Sequence, residues 1–385
     1  MIHRFRAQNY KALRDVTLEL TPFHVLIGPN DSGKTSVLEA LGALSRSAEV
    51  PLVNAFGTNW RNAELVWQHD PKLMVVLEAD DGPNGSFGYK LQCGFQSPGR
   101  NVLSHREEAR VGAGPWSEYP HGSSTTRACN LSKGFPPSVR ASLAGARSYW
   151  WNPKLLALPV ALDSRSQFEL DSTGFGLPRA LSDLLLADRA RFQELEARLV
   201  ERFPGIKGIE LRRESGFMLT RDEFLQPSVG GGGNAPGIAL YFKTDSESLR
   251  VPATSASDGV LIYLAYLFLS HQPNPPRLLL IEEPENGIHP KRLQEIVQIL
   301  RDLITTQSQM QVLISTHSPY LLDLCRPEEV TLCRKGKDGA VAAHRLSESK
   351  VVKDQIDIFT LGEIWTNEGE DRIAASPVPT EARAQ

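Results

Sequence analysis

The segment from Gly28 to Thr35 constrains the fold of this chain more than any other feature. Its sequence, GPNDSGKT, fits the pattern G-x-x-x-x-G-K-[ST] at every fixed position. The apolar run 23–27 before it predicts a buried strand, and leucines recur at helical spacing over 38–44 after it. A glycine-rich turn between a strand and a helix can surround phosphate oxygens with backbone N–H groups, beside the positive end of the helix dipole. The segment therefore predicts a phosphate-binding loop in an α/β fold.

The side chains of this loop predict a site for ATP and Mg²⁺. Lys34 offers a positive charge to the β- and γ-phosphates, and Thr35 offers a hydroxyl to Mg²⁺. The loop residues expected to bind the nucleotide are Gly28, Asn30, Asp31, Ser32, Gly33, Lys34, Thr35 and Ser36. A chance glycine turn before a helix is the alternative, and the flanking strand and helix patterns argue against it.

Two carboxylates follow a second apolar run, 278–281. A strand so apolar is expected to be buried on both faces, so Glu282 and Glu283 lie at its C-terminal end. Ligands bind at that edge in open α/β sheets. We expect Glu282 to hold Mg²⁺ and Glu283 to orient or deprotonate the attacking water. A solvated turn that ends the strand is the alternative.

A histidine follows a third apolar run, 312–315. His317 should therefore lie at the same edge as the two glutamates. A neutral imidazole there can hydrogen-bond the γ-phosphate or the attacking water. We count His317 with Lys34 and Glu283 as a candidate catalytic residue, and a purely structural histidine is the alternative.

Composition excludes several other classes of protein. The 385 residues carry a net charge of −3, so a nucleic acid partner would need a local basic patch. The four cysteines include no CxxC pair, which is typical of reduced thiols in a cytoplasmic protein. The most apolar stretch, 260–269, is far shorter than the roughly 20 residues of a membrane span. We therefore expect no membrane segment.

The order of patterns along the chain predicts its organisation. Alternation of strand, helix and strand over 278–315 indicates a mostly parallel sheet. The polar stretch 97–140 predicts long loops or a poorly ordered insertion, and apolar stripes over 178–203 predict one long helix. The predicted segments are an N-terminal ATPase lobe over 1–96, an insertion over 97–235, a C-terminal ATPase lobe over 236–370 and a disordered tail over 371–385.

Three segments together resemble those of ABC-class ATPases, in the group that contains RecF, SMC and OLD-type phage-defence ATPases. The loop 28–35 resembles the Walker A segment, IEEPENGIHP at 281–290 resembles Walker B with the D-loop, and STHSP at 315–319 resembles the H-loop. This resemblance implies an ABC-ATPase head, with a mixed sheet and a phosphate-loop core plus a helical and irregular insertion. The opening FRAQNYKAL at 5–13 is similar to the N-terminal strand and loop of the group, which implies that Lys11 lies near the nucleotide base.

The signature segment of this group has its best match at ASDGV, residues 256–260, which departs from the common LSDGT form at both ends. The resemblance implies that Ser257 and Gly259 contact the γ-phosphate held by an opposite subunit, so that a homodimer forms composite sites. A Ser-Asp cap that opens an apolar helix is the alternative, and the two are compatible.

The resemblance also implies a process and a partner. ATP hydrolysis in this group points to antiphage defence or DNA repair, with nucleic acid as a possible partner. OLD-type proteins carry a Toprim nuclease after the ATPase, and the stretch after His317 is too short for one. We therefore expect a separate effector or nuclease. The alternatives are the ATP-binding subunit of a membrane transporter and a nucleotide-gated scaffold with little turnover.

Overall fold

The computed structural model describes residues 1–56, 62–70, 72–82, 85–95, 102–119, 125–130, 134–162, 170–221, 227–230, 235–246, 248–307 and 309–375. The strands within these ranges are β1 (Arg4–Tyr10), β2 (Leu13–Glu19), β3 (Phe23–Ile27), β4 (Val75–Asp80), β5 (Phe87–Phe95), β6 (Val102–Val111), β7 (Ser117–Tyr119), β8 (Ala146–Tyr149), β9 (Val160–Ala161), β10 (Gly208–Ser215), β11 (Met218–Arg221), β12 (Pro227–Gly230), β13 (Pro236–Lys243), β14 (Arg250–Pro252), β15 (Leu278–Glu282), β16 (Gln311–Thr316), β17 (Val330–Lys335) and β18 (Val341–Arg345).

The α-helices within the same ranges are α1 (Lys34–Arg46), α2 (Leu52–Ala55), α3 (Arg127–Asn130), α4 (Pro137–Leu143), α5 (Pro153–Leu156), α6 (Leu177–Ala187), α7 (Arg189–Arg202), α8 (Asp258–His271), α9 (Pro290–Thr306), α10 (Pro319–Leu322), α11 (Lys350–Gln355) and α12 (Leu361–Ala375). Together the elements form two compact units. Unit 1 contains Met1–Ser148, Pro276–Glu283 and Gln307–Gln385, and unit 2 contains Tyr149–Pro275 and Pro284–Thr306. No described helix is long and apolar enough to cross a membrane.

The first sheet of unit 1 is antiparallel, with strand order β2-β1-β4-β5-β6-β7. Apolar and polar residues alternate along its strands, as in β5, where every second side chain from Phe87 to Phe95 is buried. Because the side-chain period of a strand is two, one face of this sheet joins the core and the other carries polar residues.

The second sheet of unit 1 has the order β18-β17-β3-β16-β15-β8. Strands β17, β3, β16 and β15 are mutually parallel, and β18 returns antiparallel to β17, so the sheet is mixed. All residues of β3 and β16 are buried, as expected for central strands covered on both faces. The predicted α/β class and the parallel pairing are confirmed.

Helix α1 contacts strands of both sheets, including β1, β4, β15 and β16. It begins at Lys34, directly after the glycine of the phosphate-loop pattern, and its buried residues spread around most of its surface. A helix enclosed in this way is held firmly, so the loop at its N-terminus has a fixed position relative to the second sheet.

Unit 2 combines a small antiparallel sheet with helices. Strands β10, β13 and β14 pair in that order, and β9 pairs with β13. Helix α8 is apolar on all sides and almost entirely buried. It contacts α7 and α9, which carry charged outer faces.

The described residues differ from three predictions about the insertion and the tail. The stretch 97–140, predicted as long loops or a poorly ordered insertion, contains β6, which pairs with β5 over most of its length. The single helix predicted over 178–203 is two helices, because the chain leaves helical geometry at Asp188, whose side chain caps α7. The tail predicted as disordered from 371 continues α12 to Ala375, with Ile373 and Ala374 buried. Residues 376–385 lie outside the described ranges.

The compact units also differ from the predicted sequential segments. The chain passes between the two units several times, and the boundaries of the units lie at positions other than 96 and 235. Strands β3, β15 and β16 are far apart in sequence but adjacent in one sheet, and this pairing places them in a single unit.

Candidate nucleotide site

Three strand ends meet at one edge of the second sheet. The parallel register pairs Glu282 with Ser315, and Thr316 with Ile27. The phosphate loop, the acidic pair and His317 therefore follow neighbouring strands at the same edge, as the sequence predicts.

The two glycines of the phosphate loop are required by close packing. A Cβ at Gly28 would lie 2.3 Å from the Cys333 carbonyl oxygen. A Cβ at Gly33 would lie 2.3 Å from Val341 Cγ2, and Gly33 also adopts a left-handed φ of 90°. Larger residues cannot occupy either position without moving the β17–β18 hairpin.

Lys34 lies within the loop itself. Its ammonium donates hydrogen bonds of 2.8 Å to the carbonyl oxygens of Gly28 and Pro29, and it lies 3.4 Å from Ser32 Oγ. Lys34 and Ser32 are buried. Asn30, Asp31 and Thr35 are exposed, and Ser36 is half-buried. The loop therefore presents polar groups at the surface and holds a positive charge just beneath it.

Thr35 and Glu282 are in direct contact. The Thr35 hydroxyl donates a 3.1 Å hydrogen bond to Glu282 Oε2. Burial raises the pKa of Glu282, and the hydrogen bond from Thr35 opposes this effect. A hydroxyl beside a carboxylate is a donor set that suits a hard cation such as Mg²⁺, which binds few protein ligands and keeps several waters. The described residues contain no group of three or more His, Cys, Asp or Glu that would form a larger metal cage.

Glu283 and His317 form a second pair. His317 Nδ1 lies 3.4 Å from Glu283 Oε1, and both side chains are partly exposed. Glu283 has a left-handed φ of 44°, and its backbone N–H donates a 2.8 Å hydrogen bond to the Ser315 carbonyl oxygen. Strained backbone of this kind persists only where the surroundings hold it, and it often occurs at functional sites.

Lys11 lies near the carboxylates of Glu39 and Glu282. Its ammonium forms an ion pair with Glu39 of α1 and contacts the ring of Tyr10. Burial lowers the pKa of Lys11, and Glu39 opposes this change. Lys11 also has a left-handed backbone, with φ 47°. Its predicted contact with a nucleotide base stays a prediction.

Ser257 and Gly259 lie in unit 2, at the start of α8. Ser257 is the N-cap residue by backbone geometry, but among the described contacts its side chain makes no capping hydrogen bond. The residue is exposed. A Cβ at Gly259 would lie 3.9 Å from the Gly287 carbonyl oxygen, so the D-loop-like segment packs near the start of this helix. Contact of Ser257 and Gly259 with a nucleotide stays a prediction.

The sequence patterns missed three residues that contact the site. Glu39 is one helical turn after Thr35, and that spacing is a signal that could have found it. Lys335 forms an ion pair with Asp31, and Val341 packs against Gly33. Both belong to the β17–β18 hairpin, far from the loop in sequence, and no local pattern marks them.

The four cysteines are unbridged, as predicted. Cys93 and Cys333 are buried, and burial raises the pKa of each thiol. These two cysteines are core residues whose thiols stay protonated near neutral pH.

Comparisons with known proteins identify the family of this chain. Residues 23–323 match the family described as "AAA domain, putative AbiEii toxin, Type IV TA system". The OLD nuclease of Thermus scotoductus (strain ATCC 700910 / SA-01) is 24% identical in an alignment 401 residues long. The alignment covers 94% of this chain and 68% of that protein.

A solved structure shows a similar fold. An SMC head bound to the C-winged helix domain of ScpA aligns with a TM-score of 0.51 and 11% identity, over 91% of this chain and 99% of that one. The SMC head domain from Thermotoga maritima aligns over 89% and 98%, with a TM-score of 0.44 and 11% identity. The family match spans most of the chain, and the chain therefore belongs to this AAA-domain family.

Proposed function

We propose that the protein binds ATP with Mg²⁺ and hydrolyses it. The observation that carries the proposal is the meeting of Lys34, Thr35, Glu282, Glu283 and His317 at one sheet edge. A phosphate-binding loop, a metal-binding pair and a candidate base at one place are the parts that phosphoryl transfer to water requires.

The roles follow from the positions of the side chains. Lys34 balances the charge of the β- and γ-phosphates, and the N–H groups at the start of α1 hold their oxygens. The Glu283 carboxylate accepts a proton from the attacking water, and His317 orients that carboxylate through the contact at 3.4 Å. The left-handed backbone at Glu283 directs its side chain independently of Glu282, so neighbouring carboxylates can perform different tasks.

Thr35 and Glu282 fit a magnesium ion, which would neutralise phosphate charge during transfer. Burial makes the ionised form of Glu282 unfavourable, and a bound cation would offset that cost. The ion pair of Lys11 with Glu39 adds further charge beside Glu282.

We further propose that a homodimer completes the site. In ABC-type ATPases, the signature segment of one subunit faces the phosphate loop of the other. Ser257 supports this arrangement because it is an exposed residue whose hydroxyl makes no capping bond in its own helix among the described contacts. A hydroxyl and backbone N–H groups at a helix start suit a phosphate.

The process we propose is antiphage defence or DNA repair, together with a separate effector or nuclease. The OLD nuclease relative and the toxin-related family description support it. Direct nucleic acid contact would need a surface other than the outer face of the first sheet. There, charges alternate across the strands, as in the pairing of Glu78 with Lys90 and of Lys90 with Glu108.

Two variants test the assignment of ATP hydrolysis. Lys34→Ala should lose ATP binding, because the phosphate charge is no longer balanced. Glu283→Gln should keep ATP binding and lower kcat by about 10²- to 10⁴-fold, because the water loses its base. Nucleotide binding and phosphate release are measured for both variants and for the unaltered protein. Turnover of Glu283→Gln at the unaltered rate would remove Glu283 as the base, and ATP binding without turnover in the unaltered protein would indicate a nucleotide-gated scaffold.

A further inference from the structure

The phosphate loop carries an acidic residue that is counted among the expected nucleotide-binding residues but has no role in the proposed hydrolysis. Asp31 lies three residues before Lys34, has a left-handed φ of 63°, and has a side chain that is 84% exposed. Its carboxylate forms an ion pair with Lys335, at 2.7 Å between Oδ2 and Nζ. Lys335 is the last residue of β17, so this contact joins distant parts of the sequence.

A carboxylate in a phosphate-binding loop opposes its ligand. Two unit charges about 7 Å apart in water repel by roughly RT, which is about a threefold loss of affinity for each unit of phosphate charge. Salt reduces this repulsion at an exposed position. A positive charge held against Asp31 cancels most of it, because the phosphates then meet a neutral pair.

The hairpin holds Lys335 at a defined place beside the loop. Strand β17 is parallel to β3, with Leu332 paired to Ile27, so it ends next to the start of the phosphate loop. The Cys333 carbonyl is close enough to Gly28 to exclude a side chain there. On the returning strand, the Val341 side chain excludes one at Gly33.

The hairpin is itself attached to the N-terminal loop. The Val341 N–H donates a 3.0 Å hydrogen bond to the Ala12 carbonyl oxygen. The turn between the strands is closed by a 2.8 Å hydrogen bond from Gly336 N–H to the Ala340 carbonyl oxygen. The hairpin therefore contacts the loop at Gly28 and Gly33, on both sides of Asp31, and its geometry does not depend on the ion pair alone.

We propose that Lys335 is a positioning residue of the nucleotide site, which neutralises Asp31 and so permits a polyphosphate, the triphosphate of a nucleotide, to bind the loop. This inference rests on the proposed ATP binding. It assigns to the C-terminal hairpin a part in nucleotide affinity, separate from the chemistry of Glu283 and His317.

A double-mutant cycle with Lys335→Ala, Asp31→Asn and the combined variant tests this proposal. ATP affinity, KM and kcat are measured at about 50 mM and 500 mM salt. Lys335→Ala should weaken ATP binding and raise KM by about three- to tenfold at low salt and by less at high salt, with kcat within about twofold. The combined variant should return to within about twofold of Asp31→Asn, because no carboxylate is left to neutralise.

Two control variants separate charge compensation from other effects. Lys337→Ala removes the same charge from an exposed position two residues further along the hairpin, and it should bind ATP like the unaltered protein. Lys335→Arg should bind like the unaltered protein because it keeps the charge.

Unchanged affinity in Lys335→Ala would overturn the proposal. A loss that Asp31→Asn does not restore would also overturn it, because Lys335 would then act through folding or through a different contact. ATP binding by the unaltered protein is measured first. If this protein fails to bind ATP, the proposed function is wrong, and that result is distinct from a failure of the proposal for Lys335.

Discussion

Replacement of Gly33 by alanine tests how the phosphate loop is built. Gly33 precedes α1 with φ 90°, and a Cβ there would lie 2.3 Å from Val341 Cγ2. Carbon atoms in contact normally stay about 3.5–4.0 Å apart, so the loop or the hairpin must move.

The expected cost has two parts. An L-residue in left-handed backbone costs about 1–2 kcal/mol. Overpacking against Val341 adds about 1–3 kcal/mol. The loop can relieve the backbone strain and the overlap with Val341 by turning its N–H groups away from the phosphates. The two costs together are then at least about 2 kcal/mol, which lowers ATP affinity by about 30-fold or more. Thermal unfolding should report any part of the cost that appears as lost stability instead.

A matched glycine isolates the backbone part. Gly82 has a similar φ of 99°, and a Cβ there would meet nothing within 4 Å. Gly82→Ala should therefore carry the backbone strain without the overlap, in a turn outside the phosphate loop, and should bind ATP normally. Gly33→Ala combined with Val341→Ala should recover part of the lost affinity, since it removes the overlapping methyl group.

Binding of ATP to Gly33→Ala with unaltered affinity and unaltered stability would refute this account of the loop. So would an equal loss of affinity in Gly82→Ala, because that variant has no overlap and lies outside the loop. Calorimetric titration with ATP, paired with a thermal melt of each variant, supplies both measurements.

Three further predictions concern turnover, assembly and pH. His317→Ala should lower kcat by about tenfold, less than Glu283→Gln, because the Glu283 base remains but loses its neighbour. Phosphate release measures kcat for both variants, and a larger loss in His317→Ala would make His317 the base. Ser257→Arg should block the ATP-dependent dimer in sedimentation and lower hydrolysis while each subunit still binds ATP, and normal hydrolysis would exclude composite sites. Burial lowers the pKa of His24 from 6.5 to about 3, so the folded state keeps it neutral while the unfolded state takes up a proton below about pH 6.5. The stability associated with neutral His24 is therefore present above about pH 6.5 and is lost as pH falls, by about 2 kcal/mol at pH 5. His24→Phe should lack this loss, and equal changes between pH 7.5 and 5.0 in urea unfolding of the two proteins would contradict it.

Local patterns in the sequence determined the parts of the site that lie within short segments. The phosphate loop is recognisable because its glycines, Lys34 and Thr35 must follow one another along the chain. The acidic pair after β15 and the histidine after β16 are recognisable because each strand is a continuous apolar run. Parallel pairing follows from their alternation with helices, so the meeting of their ends could also be predicted.

Only the tertiary structure decided which distant residues support that site. The ion pair of Asp31 with Lys335 and the packing of Val341 on Gly33 depend on β17 pairing beside β3, and no periodicity marks either contact. The same holds for β6, whose polar sequence resembles a loop but whose backbone is paired with β5. The physical reason is that sequence patterns report which residues are apolar and how often they recur, whereas contacts between charges and the pairing of polar strands depend on which segments the fold brings together.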